Sequence, residues 1–476
     1  MKATLQVLSD QERTQIHERT LAVLANTGMR VDTDEGRQIL KRAGAEVDEN
    51  TKRVRFPRAL IEESLAAAPR AFTLTARRPG YEIKMNNGDC VLCGDGTATD
   101  FVDPIKGERR SGTFEDWLKA TRLIDTIDEV GVYWQMVAGG EGQRSKADLV
   151  EYWRHMFGNF SKHVQEALDN ADESPWFLEV LQVIFGDRES IRQRHPVSFL
   201  LNPQSPLIIV GRQTDAYLKL LDWNIPVGVM PMPMMGATGP ASLVSTLVLA
   251  NCEVLGYLCL IQAAAPGTPF IYAPVPVVID PRSGRFTGSA VEVGLLGAGS
   301  TEMGRHYGLP VQAAGAGTDH YFPSIQAGYE KATNGLLTAL SWPDILIQPG
   351  HLACNTAACL EQILIDIETF RLTKQARRGF VTDQEKWLED VVEKIGPEGS
   401  FLSEKSTREA ARGGEWYISN FGMHEGFESW DAAGRPELLD QTHEMVEEML
   451  ATHQPLPFDE TVERELQKIQ ESARTA

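Results

Sequence analysis

Three short stretches place chemically capable side chains at suggestive spacings. Cys90-x-x-Cys93 has the separation of a redox or zinc pair, but no second such pair accompanies it and its surroundings are turn-rich. His351, Cys354 and Cys359 could present an imidazole and two thiolates together, although the step from Cys354 to Cys359 is a poor same-face spacing on a helix. Gly236-x-x-Gly239, inside PVGVMPMPMMGATGPASLV (226–244), has the look of a phosphate loop. It lacks the G-x-G-x-x-G fingerprint, a Gly-Lys-Ser/Thr ending and an identifiable acidic ribose binder. Packing is the better reading of the cysteines, and no bound metal is expected.

A repeating rhythm would position any site. Residues 1–95 mix short helices and strands and read as an N-terminal α/β cap, with Ser9-Asp10-Gln11-Glu12 predicting a capping box. Across 96–380, β-like runs alternate with helical segments: TATDFV, GVYWQMV, KHVQEA, PVSFLL, PVGVM, PFIYAPV, PVQAAG and DILIQPG. Such alternation means parallel strands with right-handed crossovers, and eight units predict an α/β fold of the (β/α)8 TIM barrel type. Residues 381–476, charged and helical (EKWLEDVVEKI; RPELLDQTHEMVEEML), read as a C-terminal helical extension.

In a barrel of this kind the site lies at the C-terminal ends of the strands. Those ends carry Tyr133 and Trp134, Asn202, Met230 and Met232, Tyr272, the run Asp319-His320-Tyr321-Phe322, and Gln348 with His351. Aromatic and thioether groups dominate, lysine and arginine are missing, and Asp319 is the one carboxylate. That composition suits a cationic, methyl-bearing ligand, because aromatic faces attract quaternary ammonium by about 2 kcal/mol when desolvated.

The bulk numbers narrow the partners. Against 46 basic residues stand 66 acidic ones, a net charge of −20, which weighs against nucleic acid. The opening MKATLQVLSDQERTQIHERT has no apolar signal core, and no continuous apolar run of roughly 18 residues was found, so no membrane is expected. The cysteine spacing suggests reduced thiols and a cytoplasmic protein.

Four ordered motifs then point to a family. MPMMGATGPASLVSTLVLANCEVLG (232–256), Asp280-Pro-Arg-Ser-Gly284, Gly288-Ser289 with Glu292, and Thr318-Asp319 followed by Gln326-Ala-Gly-Tyr-Glu330 resemble the trimethylamine:corrinoid methyltransferases through nearly the whole chain. The resemblance implies a barrel whose mouth receives the corrinoid (cobalamin) of a separate cognate corrinoid protein. Archaeal trimethylamine enzymes of that family carry pyrrolysine near the segment 318–322, whereas every residue here is standard. The chain therefore resembles the non-pyrrolysine branch, which acts on quaternary amines such as glycine betaine, proline betaine or carnitine. A quaternary nitrogen is already positive and departs without a general acid, so the protein must desolvate it and aim one N–CH₃ at the nucleophilic cobalt.

On that reading Asp319 and His320 are the catalytic candidates, with Asp319 orienting neighbours or balancing the cation. Tyr133, Trp134, Tyr272, His320, Tyr321 and Phe322 would surround the ammonium. His351, Gln348 and Asn202 would hold a substrate carboxylate. Met232, Gly236 and Gly239 would wall the substrate from the corrinoid. A homo-oligomer is expected. The competing readings are a quaternary-amine binding protein without methyl transfer, and a barrel lyase, which the missing strand-end lysine disfavours.

Overall fold

The computed structural model describes residues 2–94, 96–139, 145–347 and 349–475. Among them the central sheet has eight parallel strands: Val91–Cys93, Val130–Tyr133, His163–Glu166, Val197–Leu201, Val227–Val229, Phe270–Tyr272, Gln312–Ala314 and Ile345–Ile347. The first strand pairs with the second and the eighth. A single parallel bridge, Tyr272 to Val311, joins the sixth to the seventh and leaves a nearly closed (β/α)8 barrel. Most of these strands are buried on both faces, which is why they read as continuous apolar runs.

The helices begin where the sequence offers caps. Ser9 and Glu12 form the expected reciprocal box before Asp10–Asn26, and Thr113 with Asp116 does the same before Phe114–Thr126. Ser145 and Asp148 repeat the device at Lys146–Asn159. Each satisfies backbone N–H groups that a helix start leaves without partners.

One strand differs from expectation. Val91–Cys93 opens the barrel, within the span read as the cap, and TATDFV does not. Asp100–Asp103 instead makes an antiparallel hairpin with Glu108–Ser111 and pairs with Ala357–Ala358. The cause is the turn between them: the Lys106 N–H donates to Asp103 Oδ1 at 3.0 Å, and Gly107 takes φ +67°, folding the chain back.

The helix Leu243–Ala264 follows the fifth strand. Its length and composition would cross a membrane, yet 78% of its apolar window is buried inside the protein. The N-terminal helices Asp10–Asn26, Asp34–Arg42 and Arg58–Ala67 cover it. An all-round apolar helix is what such a fully covered position requires. At the other end of the chain, Glu460–Thr475 packs on Lys146–Asn159 and Ser174–Phe185, and Leu438–Thr452 packs on Leu360–Arg378.

Candidate active site

Inward-facing Val132, Ile271, Ala273, Ile345 and Ile347 pack the barrel interior with Cys93. His163 is buried there too, its ring nitrogens 2.9 Å from the Thr75 carbonyl and the Ser198 hydroxyl. Burial pulls its pKa down to about 4, so the imidazole is neutral. Two amides span the lumen. Gln165 Nε2 donates to Gln312 Oε1 at 2.9 Å, and Gln312 Nε2 donates back to Gln165 Oε1 at 2.8 Å. These residues come from the third and seventh strands, opposite one another in an eight-membered ring.

A cavity of about 630 Å³ lies over this amide pair at the C-terminal ends of the strands. Trp134, Phe286, Met230 and Met232 supply aromatic and thioether wall; Val275, Val277 and Ile347 supply aliphatic wall. Asn202, Thr97 and Asn355 add neutral polar groups. Gly96, Gly288, Gly315 and Gly317 bring backbone rather than side chains to the surface. Among the described lining residues there is no aspartate, glutamate, lysine, arginine or histidine.

One wall segment is strained. Ala353, Cys354 and Asn355 take φ values of 49°, 54° and 64° in succession, a left-handed run that costs a non-glycine residue roughly 1–2 kcal/mol each. The run is pinned by the Ala353 N–H to the His320 carbonyl and the Cys354 N–H to the Thr318 carbonyl, both at 2.9 Å. The Cys354 thiol also donates to Asp319 Oδ1 at 2.8 Å. Strain concentrated at a cavity wall and held from several sides makes this segment a candidate for function.

Asp319 collects three more donors: Thr287 Oγ1 at 2.5 Å, Ser289 Oγ at 2.8 Å and the Gly288 N–H at 2.9 Å. Burial pushes its pKa up, but the thiol, hydroxyl and amide donors outweigh burial and hold the carboxyl below its usual range. The Cys354 thiol moves the other way, pushed up to about 12 by burial and by the neighbouring carboxylate. Asp319 borders a second cavity of about 620 Å³ rather than the first.

Of the residues singled out in the sequence, Trp134, Asn202, Met230 and Met232 meet on the wall of the first cavity. Tyr133 does not. Its hydroxyl accepts from Trp117 Nε1 at 2.8 Å, in the layer between barrel and helices. Tyr272 is buried in the same layer, donating to Asn251 Oδ1 at 3.0 Å. His351 is buried with Nε2 2.9 Å from the Met136 carbonyl. His320 and Phe322 bond each other locally, His320 Nδ1 lying 2.8 Å from the Phe322 carbonyl. Tyr321 is exposed beneath the Arg109 guanidinium. Gly236 and Gly239 close a turn, the Gly236 N–H donating to the Gly239 carbonyl at 3.1 Å. Gly236 takes φ +88° there and borders the second cavity. Gln348 lies outside the described residues.

Sequence reasoning passed over Gln165, Gln312, Phe286 and Asn355, and weighed Cys354 only as a thiolate beside His351 and Cys359. A signal existed for Gln312, the one polar residue of the strand Gln312–Ala314; Gln165 lies in His163–Glu166, where only Val164 is apolar, and so does not stand out. Cys90 and Cys93 pack in separate hydrophobic clusters. Among the described residues no group of His, Cys, Asp and Glu is arranged to hold a metal ion.

A family model described as trimethylamine methyltransferase (MTTB) matches residues 1–474. The trimethylamine methyltransferase MttB of Desulfitobacterium hafniense is 30% identical over 464 residues, covering 97% of this chain and 93% of that one. A glycine betaine methyltransferase of the same species is 27% identical over 468 residues, covering 97% and 95%. The solved monomethylamine methyltransferase MtmB of Methanosarcina barkeri is 11% identical, with a TM-score of 0.47 over 98% of this chain and 91% of that one.

Proposed function

The chain belongs to the trimethylamine methyltransferase (MTTB) family, and from that premise we propose that it takes a methyl group from a quaternary amine, glycine betaine first, and passes it to the corrinoid of a separate protein. Carnitine carries the same trimethylammonium group and proline betaine a quaternary ring nitrogen with two methyl groups, and both belong to the proposed substrate class.

The observation that carries this reading is the neutral wall of the barrel-mouth cavity. The Cys354 thiol, with its pKa near 12, is a poor proton donor at neutral pH. A quaternary nitrogen needs none, because it already bears the charge that makes it leave. Trp134, Phe286 and the thioethers of Met230 and Met232 offer polarisable contact to N-methyl groups without fixing the cation through a carboxylate. That weakness is useful. Positive charge vanishes from nitrogen as the methyl departs, and a strong ion pair would stabilise the ground state more than the transition state.

The mouth accommodates a large flat acceptor: Met232 is half-exposed at the rim, and wall glycines keep the surface low. A docked corrinoid supplies the low-valent cobalt that accepts the methyl group. The chain's own residues bind the amine, orient one N–CH₃ outward and exclude water.

The purified protein incubated with cob(I)alamin and each amine in turn, followed by visible spectroscopy, tests this directly. Methylated cobalamin from glycine betaine or its quaternary relatives is the expected result. Methylation from trimethylamine alone, or from none, overturns it.

A further inference from the structure

The methyl acceptor arrives from outside the barrel, so the reacting N–CH₃ must face the mouth. The rest of the substrate then points down the cavity. There it meets Gln165 and Gln312, each only 1% exposed and each part of the cavity lining.

A primary amide has two N–H donors and an oxygen with two lone pairs. The reciprocal pair uses one donor and one lone pair of each side chain. A second N–H therefore stays on each amide; that of Gln165 reaches the Ser198 hydroxyl only at 3.5 Å. Space beside the amide is provided by Gly228 on the fifth strand. A Cβ there would stand 3.8 Å from Gln165 Nε2 and 2.9 Å from the Leu200 side chain.

We infer that the Gln165–Gln312 pair reads the non-reacting end of the substrate, and that this end is an anionic hydrogen-bond acceptor of the carboxylate class. The inference rests on the quaternary-amine reading above. Neutral donors suit the position. A lysine or arginine here would repel the ammonium of the same small molecule. An amide-held carboxylate keeps its contacts while the nitrogen loses charge, so that binding persists into the transition state. A bare tetraalkylammonium presents only methyl groups to the floor and leaves those donors unpaired, which is the stronger form of discrimination.

Isothermal titration of glycine betaine and of tetramethylammonium into wild type and Gln312→Glu separates the outcomes. The new carboxylate is expected to weaken glycine betaine at least tenfold and to leave tetramethylammonium unchanged or tighter. Should Gln312→Glu fail to fold, the double variant Gln165→Met/Gln312→Met serves, with loss of glycine betaine affinity and retention of tetramethylammonium. Equal loss of both ligands, or undiminished glycine betaine binding, overturns the inference alone. Wild type that binds neither ligand and transfers no methyl group from any quaternary amine overturns the quaternary-amine reading, and this inference with it.

Discussion

The Cys354 thiol donates to the Asp319 carboxylate across 2.8 Å, tying the loop after the eighth barrel strand to the loop after the seventh. Thr287, Gly288 and Ser289 bring the loop after the sixth strand to the same carboxylate. Asp319 is thus a clamp behind the cavity wall, and Asp319→Ala strips four donors of their acceptor at once. A loss of about 2–4 kcal/mol in urea unfolding is expected, with kcat/KM falling by more than tenfold as Cys354 and Asn355 drift. Asp319→Asn should sit between, since its amide oxygen can still accept. The lowered pKa sets the pH behaviour. Stability contributed by Asp319 is present above the unfolded aspartate value of about 3.9 and is lost as pH falls below it through the folded value. The gap between wild type and Asp319→Asn should therefore narrow on acidification below about pH 4.

Thiol chemistry reports on the same contact independently of activity. With a pKa near 12, Cys354 should react slowly with iodoacetamide at pH 8 although it borders an open cavity. Burial is the larger cause and Asp319 the second, so Asp319→Asn should lower the thiol pKa and speed labelling several-fold. Mass spectrometry of the Cys354 peptide over time measures it. An unchanged rate would mean that the carboxylate does not control the thiol.

The barrel was readable because its strands are short apolar runs bracketed by caps and prolines, as in PVSFLL and PFIYAPV. Val91–Cys93 escaped notice because three apolar residues carry too little pattern against the longer TATDFV that follows. The site was legible to the level of strand ends and not to the level of facing. Side chains alternate with period two, so adjacent Tyr133 and Trp134 part company: Tyr133 faces the helices and Trp134 the cavity. Tyr272 follows the same logic, one position beyond the inward Ile271. The contacts of Asp319 join residues thirty or more positions apart and leave no local trace.

That difference in facing makes a paired prediction. Trp134→Ala removes an aromatic face from the cavity wall and should weaken glycine betaine about tenfold, in line with about 1–2 kcal/mol for a partly desolvated cation on tryptophan. Tyr133→Phe deprives the Trp117 indole N–H of its acceptor in a dry layer, which should cost about 1–3 kcal/mol of stability and leave kcat/KM within about twofold. Equilibrium binding and thermal unfolding on both variants separate the roles. If Tyr133→Phe lost binding while Trp134→Ala kept it, the assignment of the two faces would be reversed.

Glu253 offers the clearest pH test. It sits fully buried in Leu243–Ala264, accepting from Ser205 Oγ at 2.7 Å and the Leu207 N–H at 2.8 Å, and so anchors the loop whose start carries Asn202 and Pro203 on the cavity wall. Burial raises its pKa from 4.5 to about 7, against the two hydrogen bonds that pull the other way. Between those values the unfolded chain has lost a proton that the folded chain keeps, so stability falls as pH rises from about 4.5 to about 7 and is flat above. At about 1.36 kcal/mol per pKa unit, the full effect is on the order of 3 kcal/mol. Glu253→Gln cannot titrate, yet its amide oxygen still meets the Leu207 N–H and its NH₂ the Ser205 hydroxyl. The variant should gain stability relative to wild type across that window while retaining kcat/KM. Urea midpoints at pH 5, 6, 7 and 8 measure the gap. A gap that stays constant from pH 5 to pH 8 would show that the Glu253 carboxyl does not titrate differently in the folded chain.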